Sequence, residues 1–154
     1  MNTGLTLDLA IYAGTIFNLG SFFGIAAQGF FSQLFGLRRT ILVFFVAAAI
    51  LMFVFSLFTE SITILMMFGL MGFGVQGGFV GLYTVAARLY PTVIRTTGIG
   101  WAIGAGRTGA IFGPMAGGVL VAVGLSMTAN FVVFAIPIIL AGIATMMIRN
   151  PDIR

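Results

Sequence analysis

The sequence predicts an all-α integral membrane protein of five transmembrane helices. Three observations predict it. Of 154 residues, 60% are hydrophobic and 6% charged, where soluble domains carry about 25% charged residues. The apolar residues form runs of the length, about 20 residues, that a helix needs to cross the hydrocarbon core. The arginines fall between these runs and not along one face. A soluble fold of this size needs a charged surface, which this composition cannot supply. A bilayer removes the need.

The charges divide the chain into spans. Span one runs from about Leu9 to Leu34 and span two from Ile41 to Phe58. Span three runs from about Ile62 to Ala87, span four from about Gly98 to Val123 and span five from about Met127 to Ile148. The stretch after Arg107 is too long for one helix, and Gly124-Leu125-Ser126 supplies the break, Gly and Ser being turn residues. Barrel strands are about ten residues long and alternate apolar with polar. These runs are longer and do not alternate, and backbone groups in lipid must be paired within their own segment, so they are helices.

Orientation follows from the basic residues. There is no Lys and no His, so every cation is an Arg. Arg38 and Arg39 lie between spans one and two, Arg88 and Arg95 between spans three and four, and Arg149 and Arg154 after span five. Five spans put all three clusters on one side. The other side has Asp8, Glu60 and the uncharged Gly-Leu-Ser turn. The positive-inside rule makes the Arg side cytoplasmic. The expectation is a multi-pass protein of the cell (inner) membrane, N-terminus outside and C-terminus cytoplasmic. No positively charged leader segment precedes the first span. Met1 stands only a few residues before it, and the chain is read as a fragment or shortened reading frame.

Glycine marks the helix faces that pack. Span one has Gly20 and Gly24, span three has Gly74 with Gly78 and Gly77 with Gly81, and span four has Gly109, Gly113 and Gly117. Glycine at every fourth position lets another helix approach closely. Span two lacks such a groove and carries Phe44, Phe45, Phe53 and Phe55, so it is expected to face lipid. Pro114 and Pro137 lie inside spans four and five. Each removes a backbone hydrogen bond and is either a hinge beside a pathway or a tolerated kink.

Arg107 is the one cation inside a predicted span. It lies about nine residues past Gly98, roughly 14 Å along the helix and close to the bilayer midplane. A charge there costs about 2.5 kcal/mol or more, so it should face a cavity or a partner. Gly100, Gly104 and Pro114 leave room around it. The acidic residues Asp8, Glu60 and Asp152 all lie near span ends. Its counter-charge is then a carboxylate on another segment or an anionic substrate. The plainer reading is snorkelling to an interface, or capping by carbonyls. Asn18 and Gln76 fall at similar depth and line the same pathway or join helices. Tyr90 and Trp101 sit where aromatic residues anchor at the membrane interface.

Other chemistries are disfavoured. There is no His or Cys, no pair of acids within a span and no phosphate-cradling Gly-Lys motif, so neither an enzyme, a metal site nor a cofactor site is expected. Gly104-Ala105-Gly106 lies inside a predicted helix and is not a dinucleotide loop. The arginines read as topology signals, not as a nucleic-acid surface.

Two stretches carry a family resemblance. Gly29-Phe30-Phe31-Ser32-Gln33-Leu34-Phe35-Gly36-Leu37-Arg38-Arg39 resembles the cytoplasmic loop signature G-x-x-x-D-R-x-G-R-R of the major facilitator superfamily. Leu89-Tyr90-Pro91-Thr92-Val93-Ile94-Arg95-Thr96-Thr97-Gly98, followed by Gly104 to Pro114, looks like the segment joining helices ten and eleven in its aromatic-acid and metabolite/proton symporter branch. The resemblance implies a partial C-terminal bundle, helices eight to twelve of twelve, with a substrate site at the midplane and alternating access. It places Arg107 where that branch has an Arg associated with organic anions. Pro91 and Arg95 fall in the loop signature, where the Arg serves gating or topology. There are departures. Gln33 stands where the signature has Asp, Leu34 where it has Arg, and Arg88 where an acidic residue is common. The resemblance also implies that the proton-coupling carboxylates belong mostly to the missing bundle.

Two functions follow as expectations. One is the C-terminal part of a proton-coupled secondary transporter of a small organic anion, embedded in lipid and completed by an N-terminal bundle or another copy. The other is a non-transporting remnant or a membrane assembly partner.

Overall fold

The computed structural model describes residues 7–55 and 61–148. Phe58, Glu60, Arg149, Asp152 and Arg154 lie outside the described residues, as does the Asp8 side chain. The described chain is helical, in five elements: α1 (Leu7–Phe35), α2 (Leu37–Val54), α3 (Ser61–Leu89), α4 (Arg95–Ala122) and α5 (Met127–Met147). Four of them, α1, α2, α3 and α5, are long and apolar enough to cross a membrane. The helix α4 is of comparable length, 28 residues, but its many glycines and Arg107 dilute its apolar character.

Only Gly36 separates α1 from α2. It has φ 86°, in the region that glycine alone adopts freely. Its carbonyl accepts both the backbone N–H (3.2 Å) and the hydroxyl (2.9 Å) of Thr40. Arg38 and Arg39 therefore lie in the first turn of α2, whereas the charge pattern alone placed them between spans. At the other connection Gly124, with φ 90°, turns the chain between α4 and α5. Ser126 caps α5 by accepting the Ala129 N–H at 3.2 Å.

The helices alternate in direction. Leu37 near the start of α2, Val85 near the end of α3 and Ile148 just after α5 meet in one cluster with Ile41 and Phe45. A second cluster, toward the opposite end, gathers Ala49, Met52, Phe55, Met71 and Ala135. There Phe55 packs on Phe131 (centroids 4.7 Å apart) and edge-on to Phe68 (5.6 Å).

The expectation that span two faces lipid fails for most of its phenylalanines: Val43, Ile50 and Phe53 are exposed on one side of the helix, but the other side is packed. α2 is the most buried helix, with Leu37, Thr40, Ile41, Phe44, Phe45, Ala48, Ala49 and Met52 inside. It sits between α3 and α5. Its rings supply the bulk that the glycines of α3 leave room for: a Cβ on Gly77 would meet the Phe44 ring, and one on Gly78 the Phe45 ring. Composition marks which helix has holes; only the packing tells which helix fills them.

α1 and α3 approach backbone to backbone. A Cβ on Gly20 would overlap the Gly69 carbonyl, and one on Gly24 the backbone of Phe73. Gly72 lies in the same way against Phe17, and Gly74 against Ala48 and Phe44. Such contacts keep many van der Waals neighbours without any side chain between the helices. α4 differs. It has no buried residue, and a Cβ on Gly109 or Gly113 would have nothing within 4 Å. Of the three glycines assigned to its packing face, Gly117 alone is near another helix, 3.4 Å from the Phe134 ring of α5. The spacing predicts a packing face; among the described residues no helix lies against Gly109 and Gly113.

Candidate functional site

Arg107 lies near the middle of α4, 12 positions past Arg95, about 18 Å along the axis. It is exposed. Beside it on the outward face is a shallow depression of about 530 Å³, lined by Thr97, Gly100, Trp101, Gly104, Ala105 and Thr108. The absent side chains of Gly100 and Gly104 create that space. The Thr108 hydroxyl is turned back to its own helix, donating to the Ala105 carbonyl at 2.7 Å. Pro114 is exposed two turns further on, and α4 continues through it as α5 continues through Pro137.

The two amides are placed differently. Asn18 is exposed on α1 and donates its Nδ2 to the Gly14 carbonyl at 2.8 Å. Gln76 is half-buried on α3. Neither lines the depression beside Arg107, so the described helices do not draw the three residues into one cavity.

The loop between α3 and α4 is a folded turn. Ile94 N–H donates to the Pro91 carbonyl (3.1 Å) and Gly98 N–H to the Ile94 carbonyl (2.8 Å). Arg95 donates its Nε to the Tyr90 carbonyl (3.3 Å) and its Nη2 to the Thr92 hydroxyl (3.4 Å). The Tyr90 ring lies over Gly98, where a Cβ would meet it. One guanidinium thus ties the end of α3 to the start of α4. At the α1–α2 junction, Gly29 is exposed and open, and Gln33 is exposed. Arg38 is half-buried and Arg39 exposed, and both border a cavity of about 510 Å³ with Phe35, Gly36 and Met146.

Two polar residues were not singled out by sequence. Gln28 on α1 is 3% exposed, and neither its Nε2 nor its Oε1 has a hydrogen-bond partner among the described residues. Its amide lies where a side chain on Gly81 of α3 would stand, beside Ile41 of α2. Its signal was the same as that of Asn18 and Gln76, an amide within an apolar run. Asn130 on α5 donates its Nδ2 to the Gly117 carbonyl of α4 at 3.3 Å and joins the two helices near their shared turn.

These features define a multi-pass helical membrane protein with one cation in the middle of its least buried helix. The family model for the major facilitator superfamily matches residues 2–153, and the chain belongs to that superfamily. It is similar to the 4-hydroxybenzoate transporter PcaK of Acinetobacter baylyi, 34% identical over 143 residues, covering 92% of this chain and 31% of that protein. It is similar also to the gallate transporter of Pseudomonas putida (28% identical; 92% of this chain, 32% of that protein). A third relative is the gentisate transporter of Corynebacterium glutamicum (28% identical; 82% of this chain, 29% of that protein). The chain spans about a third of the length of these relatives.

Proposed function

We propose that this chain is the C-terminal part of a secondary transporter for small organic anions of the aromatic-acid class. One observation carries the reading: Arg107, exposed at mid-length on a helix that buries none of its residues. A charge at that depth calls for an anionic partner, and the relatives named above carry aromatic acids. In this reading α4 crosses the bilayer with the other four helices, and Arg107 pairs with the substrate carboxylate. Asn18 and Gln76 supply polar walls on their own helices. The Arg-bearing ends are cytoplasmic by the positive-inside rule, the membrane is the inner one, and uptake is coupled to protons. Arg95 serves by holding the α3–α4 turn. The N-terminal bundle of a longer polypeptide, or another copy, completes the pathway.

The test is uptake of labelled 4-hydroxybenzoate into membrane vesicles, with the chain alone and co-expressed with an N-terminal bundle. The chain alone is expected to be inactive and the pair active, with uptake abolished by a protonophore. Uptake by the chain alone would overturn the need for a second bundle. No uptake in either case favours the second reading, a non-transporting remnant or assembly partner.

A further inference from the structure

Arg107 serves only in the direction in which α4 turns it. Among the described residues, that helix buries none of its own, so few contacts set its rotation about its axis. Gly98 lies nine residues before Arg107, about two and a half turns, and so on the opposite side of the helix. Gly117 lies ten residues after it, about 15 Å along the axis and about 80° around it. Both glycines are contact points. The Tyr90 ring covers Gly98, and the Phe134 ring of α5 stands 3.4 Å from where a Cβ on Gly117 would be.

One contact at Gly117 is directional. Asn130, in the first turn of α5, donates its Nδ2 to the Gly117 carbonyl at 3.3 Å. Its own turn is anchored: the Asn130 N–H donates to the Ser126 carbonyl (3.1 Å), and the Ser126 hydroxyl accepts the Ala129 N–H. A ring lying over a glycine allows the helix to turn beneath it, whereas a hydrogen bond weakens steeply as its angle departs from linear. α4 stays helical through Pro114, so a rotation at Gly117 is carried to Arg107.

We propose that Asn130 is a positioning residue for Arg107: by holding the Gly117 carbonyl it sets the resting rotation of α4, and with it the direction in which the guanidinium points. This role rests on the reading of Arg107 as the cation that pairs with the substrate. Simple cohesion between α4 and α5 is the alternative. The two separate cleanly, because a single interhelical amide bond adds little to the stability of a membrane bundle, while a misdirected cation loses its anion.

The chain has no cysteine, so single introduced thiols carry nitroxide labels at chosen sites. Gly106→Cys and Thr108→Cys flank Arg107 at about 100° to either side, and both positions are exposed. The test measures the collision rates of each label with oxygen and with a water-soluble nickel complex, in the full chain in nanodiscs, with Asn130 and with Asn130→Leu. In Asn130→Leu the oxygen rate is expected to rise at one position and fall at the other, with thermal stability unchanged. Asn130→Ala, which adds no bulk against Phe134, should give the same pattern. In the co-expressed pair, Asn130→Leu should raise the KM for 4-hydroxybenzoate by up to about tenfold, the value of one hydrogen bond, and leave the maximal rate in place. Unchanged collision rates at both positions in both variants would overturn the proposal. So would rates that rise together with earlier unfolding, the mark of cohesion alone. Absence of uptake in the wild-type pair would count against the transport reading only, because the labels are read without substrate.

Discussion

The Phe44 ring of α2 occupies the space that a side chain on Gly77 of α3 would need. The same ring stacks on Phe73 with centroids 5.2 Å apart and an interplanar angle of 18°. Large residues on one helix and glycines on the next form a single contact surface. Gly77→Leu is expected to destabilise the bundle by about 1–3 kcal/mol through overpacking. Gly109→Ala, with open space around it, should be neutral or slightly stabilising, since Ala is the better helix former. Thermal unfolding in detergent compares the two, and equal losses would refute the packing assignment.

Gln28 gives a prediction of opposite sign. A buried amide without partners costs free energy, and an apolar residue of similar size removes that cost. Gln28→Leu should therefore be neutral or more stable by about 1–3 kcal/mol. Gln28→Glu should be destabilised, because burial penalises a charge more. A Leu variant that unfolds more readily than wild type would mean that the amide is satisfied by an ordered water.

Arg107 should matter for transport and little for folding. Its side chain is exposed and α4 buries nothing, so Arg107→Ala should leave helicity and thermal stability unchanged. In the co-expressed pair it should reduce 4-hydroxybenzoate uptake by roughly tenfold to a hundredfold, the value of one charged hydrogen bond. Unchanged uptake would remove Arg107 from the pathway.

Arg95→Ala should loosen the turn between α3 and α4, because both side-chain hydrogen bonds to Tyr90 and Thr92 are lost. Both bonds are exposed, so the cost is small, about 1 kcal/mol. Limited proteolysis near Val93, which is 94% exposed, should speed up while the helix core stays resistant. An unchanged cleavage rate would show that the backbone bonds of the turn suffice without the guanidinium.

The helices themselves were readable, because run length and charge placement are local properties. Three features were not. The burial of α2 depended on which neighbour its phenylalanines meet, and Phe-rich helices look alike whether they face lipid or a glycine groove. Gln28, Asn18 and Gln76 are also alike in sequence. One is buried without partners among the described residues, one is exposed and bonded to its own helix, and one is half-buried. Their differences are set by rotation of each helix about its axis, which single polar residues do not specify. The start of α2 lies earlier than the charge pattern predicts, because two arginines read as a loop while the positive φ of Gly36 lets the next helix begin at once.

The isolation of α4 has a mechanical consequence. Near its start the Tyr90 ring rests on Gly98, and toward its end Asn130 holds the Gly117 carbonyl. Between these two points no residue is buried. Among the described residues, α4 is a rod pinned at both ends and unsupported between them, which can bow or roll without dismantling the interlocked α1–α3–α2 stack. Arg107 rides near the middle of that rod, where a small rotation gives the guanidinium its largest sweep.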